Sequence, residues 1–162
     1  MSEKHLLFVC TGNSCRSVMA ERYLQYLLHH AGMESVHVES AGVFAVEGMG
    51  ATRETQRVLQ DIGADAVNHR ARTLTAEIAQ HADLIFVMEQ FQLEEVLRRL
   101  PGAHGKTHLL KRYGLNPNEL PAQLNIPDPI GKPLEVYEVC FAEIREAVDR
   151  IARSLGVRTS ES

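Results

Sequence analysis

Four consecutive apolar residues, Leu6-Leu7-Phe8-Val9, run through Cys10 into the tight connection TGNSCRS, and VMAERYLQYLL follows at once with helical spacing. An uninterrupted apolar run has no solvent face to offer, so it fits a strand buried on both sides. A helix that starts a few residues later must fold back over that strand. The pattern then recurs. VHVES, DLIFVM and THLL read as further strands, and helices are expected at about 16–30, 51–62, 75–81, 89–100 and 134–155. In the last helix, Val136, Val139, Cys140, Ile144, Val148 and Ile151 recur at spacings near three and four, as one buried face requires. Strand and helix in alternation imply right-handed βαβ units and a parallel sheet with helices on both faces.

A chain of 162 residues suits a single core. The expected domain spans 1–156, with 157–162 as a frayed tail. An apolar share of 44% and a charged share of 23% are those of an ordinary globular domain, neither disordered nor membrane-spanning. A net charge of −4 lacks the broad basic footprint of a protein whose main partner is nucleic acid. The N-terminal apolar run is too short for a signal peptide, so a cytoplasmic location is expected. Cys10, Cys15 and Cys140 make an odd number without C-x-x-C spacing, which suggests neither a disulfide framework nor a zinc site. The proline-rich stretch Lys111–Pro133 is a long irregular connection, and such loops in compact domains are usually functional or disordered.

Cys10 stands where ligands bind in open α/β sheets, at the carboxyl end of the first strand. The connection behind it supplies successive backbone N–H groups and a helix N-terminus, which together form an anion-binding concavity. Gly12 and Asn13 tolerate left-handed backbone and let the loop curl around one centre. Arg16 brings a planar fork of donors that grips two oxygens of a phosphate. The same positive field favours the Cys10 thiolate, to which Ser17 can add a hydrogen bond. Expelling an alkoxide or phenoxide from phosphorus also needs an acid. Asp128, held between prolines in IPDPIG, is the candidate.

CTGNSCRS near the N-terminus, SAG after the second strand and a late DPIG ahead of the last helix resemble the low-molecular-weight protein tyrosine phosphatase family over about 6–155. The resemblance implies a four-stranded parallel sheet with flavodoxin-like winding and a cofactor-free, metal-free reaction in two steps. Cys10 would attack phosphorus, while Arg16 and the amides of Thr11, Gly12, Asn13, Ser14, Cys15 and Arg16 hold the equatorial oxygens. Asp128 would protonate the leaving group and then activate the water that hydrolyses the phosphocysteine. Ser17 would hold the thiolate. Ser40 and His69 would support the strained Asn13. The implied partners are a phosphorylated protein substrate and, in the loop, inorganic phosphate or another oxyanion, without nucleic acid or membrane.

Two departures bear on the substrate. Family members that act on phosphotyrosine usually carry aromatic residues directly after the Asp-Pro, whereas Ile130 and Gly131 stand here, leaving Phe44 as the other candidate wall. Ser14 is small where many tyrosine-specific members are bulky, which is similar to protein-arginine phosphatases. Phosphoarginine is therefore the alternative substrate. A phosphocysteine carrier is the alternative of another class, and it would have no use for Asp128. Cys15 lies close enough in sequence to form a reversible disulfide with Cys10, or is an inert loop thiol. GAHGKT at 102–107 imitates a nucleotide loop, but its first glycine is replaced by Leu100 and it leads into a strand.

Overall fold

The computed structural model describes residues 2–159. Its sheet contains β1 (Lys4–Cys10), β2 (Val36–Gly42), β3 (Leu84–Val87) and β4 (Thr107–Leu109). The strands are all parallel, in the order β2-β1-β3-β4. Phe8 pairs with Ser40 on one side and Phe86 on the other, and Val87 pairs with Leu109. Connections leave β1 toward β2 and return past it to β3, so the order reverses beside Cys10. That reversal opens a crevice at the carboxyl end of β1.

Among the described residues, five helices cover the sheet: α1 (Arg16–His30), α2 (Arg53–Gln60), α3 (Ala76–His81), α4 (Gln90–Arg99) and α5 (Leu134–Ser154). The period-two alternation of β1 divides the core. Leu6, Phe8 and Cys10 join the cluster under α1 and α5, while Leu7 and Val9 join the one under α3 and α4. Both faces are dry, as the apolar run requires. Thr52 and Thr75 start α2 and α3 by accepting the N–H of Thr55 at 3.2 Å and of Ile78 at 3.1 Å.

Two expectations need correction. Val136 and Val139 do not belong to the buried face of α5; they are 41% and 64% exposed. The buried stripe passes through Tyr137, Cys140, Phe141, Ile144, Ala147, Val148, Ile151 and Ala152. A helix turns about 100° per residue, so this stripe leaves 136 and 139 on its flank. Within the segment expected to fray, Val157 packs into the core and the buried Thr159 accepts from Arg153 at 2.9 Å. Residues 160–162 lie outside the described residues.

Lys111–Pro133 contains only one short 3-10 turn, Pro117–Glu119, yet it is anchored. Ile126 is fully buried and donates its N–H to the Met88 carbonyl at 2.9 Å, at the end of β3. Asn125 Oδ1 accepts the Gln90 N–H at 2.9 Å. These two bonds carry the long loop back to the crevice beside Cys10.

Candidate active site

The connection from Cys10 to Arg16 is curled by Asn13, the only non-glycine residue with positive φ among the described residues, at 54°. Gly12 does not share that conformation, contrary to the expectation from its residue type. Left-handed backbone disfavours an L-residue, and hydrogen bonds on every side of Asn13 hold it there. Its Oδ1 accepts the Arg72 N–H at 3.0 Å, which fixes the amide orientation. Its Nδ2 then donates to Ser17 Oγ and Ser40 Oγ, both at 2.9 Å. Each hydroxyl, having accepted from Asn13, passes its own proton outward. Ser40 donates to Glu21 Oε1 at 2.8 Å, and Ser17 Oγ lies 3.0 Å from Cys10 Sγ. The Ser17 proton is thereby aimed at the Cys10 sulfur.

His69 closes the network from the other side, with Nε2 at 2.7 Å from the Asn13 carbonyl. A carbonyl can only accept, so Nε2 carries the proton. Burial holds the His69 pKa below its ordinary value, although the bond to Asn13 opposes this. Burial likewise pushes the Glu21 carboxyl up against the lowering effect of its Ser40 bond. Gly42, the glycine of SAG, makes the close approach of these parts possible. A Cβ there would stand 2.6 Å from the Thr11 carbonyl oxygen and 2.9 Å from the Asn13 nitrogen.

Arg16 is 1% exposed, an unusual place for a guanidinium. Its Nη1 donates to the Ile126 carbonyl at 2.7 Å and lies 3.3 Å from Glu89 Oε2. Its Nη2 lies 3.6 Å from Asp128 Oδ2 and 3.5 Å from Thr11 Oγ1. Its Nε is buried without a partner among the described residues. The backbone N–H groups of Gly12, Asn13, Ser14 and Cys15 also find no protein acceptor among those residues. Unpartnered N–H donors gathered in one loop behind a strand-end thiol can serve an oxyanion. The structure thus brings Cys10, Arg16, Ser17 and Asp128 to one centre, with Ser40 and His69 behind it.

The remaining candidates fall on the rim or behind the cup. Ser14 is buried, with its Oγ 3.7 Å from Cys15 Sγ. Cys15 Sγ lies within hydrogen-bonding reach of Tyr137 OH at 3.5 Å and Thr52 Oγ1 at 3.6 Å, and all three cysteines are free thiols. Burial pushes the Cys140 thiol up to about 12, which leaves it inert. Phe44 and Ile130 are 60% and 53% exposed, so Phe44 is a surface ring and not a core one; Arg99 lies 5.6 Å over it. In the nucleotide-loop lookalike, Lys106 Nζ donates to the carbonyls of Gln80 and Ala82, so that segment is structural. Among the described residues no helix is long and apolar enough to cross a membrane.

Glu89, Gln92, Glu21 and Arg72 also belong to the site, and sequence reasoning missed them. Glu89 and Gln92 open α4 at the carboxyl end of β3, a position that the rule locating Cys10 also singles out. Glu21 stands one turn beyond Ser17 on α1, and Arg72 reaches Asn13 only through tertiary folding.

The family model for low molecular weight phosphotyrosine protein phosphatase matches residues 5–160. A protein-arginine-phosphatase of Geobacillus stearothermophilus is 37% identical over 150 residues, which covers 93% of this chain and 95% of that one. The low molecular weight protein-tyrosine-phosphatase Ptp of Acinetobacter johnsonii is 38% identical over 80% of this chain and 82% of its own. Among solved structures, the tyrosine phosphatase Wzb from Escherichia coli K30 in complex with sulphate superposes with a TM-score of 0.82. It is 33% identical, over 95% of this chain and 99% of that one. The chain belongs to the low molecular weight phosphotyrosine protein phosphatase family.

Proposed function

We propose that this chain hydrolyses phosphotyrosine in proteins through a phosphocysteine at Cys10. The observation that carries the reading is Arg16: buried beside the thiol, it keeps its Nε without a partner and holds Nη2 3.6 Å from Asp128. The Cys10 thiolate attacks phosphorus, the S–P bond forms and the P–O bond to tyrosine breaks. Asp128 gives its proton to the departing phenolate oxygen. Water then attacks phosphorus and gives a proton to Asp128 as the S–P bond breaks, which releases phosphate and restores the thiolate. Arg16 and the free amides stabilise the three equatorial oxygens throughout. Residues of the chain supply the nucleophile, the acid and the charge stabilisation, so the reaction calls for no metal or cofactor. Free thiols suit the reducing cytoplasm, where such a nucleophile would survive.

A second reading, phosphoarginine hydrolysis, is favoured by the small Ser14 in the cup and by the protein-arginine-phosphatase relative. Turnover of matched phosphotyrosine and phosphoarginine peptides on one preparation separates the two. Ser14→Ile is expected to narrow the cup and shift the ratio of specificity constants toward phosphotyrosine by roughly tenfold, because a few added methyl groups supply discrimination of that order. Absence of phosphoarginine turnover in the wild type, together with unchanged kinetics in the variant, would leave phosphotyrosine alone.

A further inference from the structure

We propose that the Thr11 hydroxyl donates to the oxyanion held in the cup and that Gln92 aims it; this rests on the phosphatase reading of the site. Protons and lone pairs around Thr11 and Gln92 decide the arrangement. Gln92 is fully buried at the start of α4. Its Oε1 accepts two backbone N–H groups, from Met88 at 2.8 Å and from Glu89 at 2.9 Å. With the amide orientation fixed in this way, Nε2 must face the other direction, where it donates to Thr11 Oγ1 at 3.1 Å.

A hydroxyl has two lone pairs and one proton. Thr11 Oγ1 receives Gln92 Nε2 and, at 3.5 Å, Arg16 Nη2. Its proton can point at neither of these donors, and no acceptor takes it among the described residues. Thr11 directly follows the nucleophile, and the Arg16 Nη2 that it meets also lies 3.6 Å from Asp128 Oδ2. The Thr11 oxygen therefore lies near the acid, through the Arg16 Nη2 that both meet, and its proton is left for a ligand in the cup. There it adds a side-chain donor to a receptor otherwise built from backbone N–H groups and one guanidinium. A fully buried glutamine is costly unless all its polar atoms are bonded, and here the third bond leaves α4 to reach the loop. Gln92 is a positioning residue because it touches the anion only through Thr11.

The test is calorimetric binding of inorganic phosphate and of orthovanadate, with kcat and KM for an aryl phosphate measured on the same variants. Thr11→Val keeps the shape and removes the proton. It should weaken both anions and lower kcat/KM by about tenfold, the loss of one hydrogen bond to a charged group. Thr11→Ser restores the proton without the methyl group and should return binding to within about threefold of wild type. Gln92→Met should weaken the anions in wild type but add little in the Thr11→Val background, as expected for a residue acting through Thr11. Full affinity in Thr11→Val would overturn the proposal. A serine variant as weak as the valine one would overturn it as well, by making the role one of packing. An undiminished Gln92→Met effect in the valine background would remove Gln92 from it. If the wild type itself bound neither anion, the phosphatase reading would fall and this inference with it, an outcome distinct from wild-type binding that valine leaves untouched.

Discussion

The loop that carries Cys10 and the loop that carries Asp128 face each other across one guanidinium, and they are built in opposite ways. Asn13 and Ser17 are wholly buried, and every polar atom of the Asn13 side chain is spent on Arg72, Ser17 and Ser40. Asp128 keeps 40% of its side chain exposed and follows two residues after the buried anchor at Ile126. A receptor for charge works when its dipoles are already aimed, because reorienting them during the reaction would cost the stabilisation they provide. The carboxyl proposed as the acid must instead be reached by a leaving group arriving from solvent, and its exposure beyond the anchor at Ile126 leaves it open to one. Arg16 joins the two regions by holding the Ile126 carbonyl at 2.7 Å with the same side chain that faces the cup.

This contrast breaks most visibly at the nucleophile. Cys10→Ser should lose at least ~10⁴-fold in turnover of an aryl phosphate, the scale of removing a catalytic nucleophile. It should still bind phosphate, since the cup is otherwise intact, and loss of binding together with activity would show that the cup depends on the sulfur. Asp128→Asn tests the other region. A fall in kcat of ~10²–10⁴-fold is the expected cost of losing an acid–base group. Phosphate affinity should move by less than about threefold, and a loss as large as that in kcat would place Asp128 in the cup itself.

Gly42→Ala probes the support of the cup from behind. Its Cβ meets backbone atoms of Thr11 and Asn13, at 2.6 and 2.9 Å, that have no room to retreat. Thermal denaturation should report a loss of about 1–3 kcal/mol, as for other overpacked sites. Anion affinity should fall with it. Unchanged affinity would mean that the loop adjusts freely.

The smallest effect concerns His69, whose pKa burial lowers. The unfolded chain binds a proton near the ordinary value of 6.5 more readily than the folded one. The neutral imidazole therefore contributes stability that is present above that value and is lost as pH falls through it toward the lowered folded pKa. Glu21 runs in the opposite sense. Its raised pKa makes burial of the ionised carboxyl costly as pH rises above 4.5, so protonation offsets part of the loss at lower pH. Melting temperature should decline between about pH 7 and 5 in the wild type and decline less in His69→Gln. Equal slopes would show that other groups set the pH dependence.

Much of this architecture was legible in the chain itself. The unbroken apolar runs announced strands covered on both sides, and residue type and spacing offered Cys10, Arg16 and Asp128 as the candidates proposed for the reaction. On α5 the same reasoning slipped, because spacings near three and four admit neighbouring stripes, and Tyr137 and Phe141 won over Val136 and Val139. Larger side chains bury more area, and the packing chose them.

What the sequence determined by itself is chemistry attached to local geometry: a thiol at a strand end, a fork of donors six residues on, and a carboxyl held between prolines. These rest on contacts within a few residues, which spacing encodes. Tertiary structure alone decided which distant groups complete the site. Arg72 meets Asn13, Gln92 meets Thr11 and Ile126 meets Arg16 across separations of 59, 81 and 110 residues. No periodicity spans such distances. The strand order β2-β1-β3-β4 brings the ends of β1, β2 and β3 into one crevice, and only there do their loops share partners.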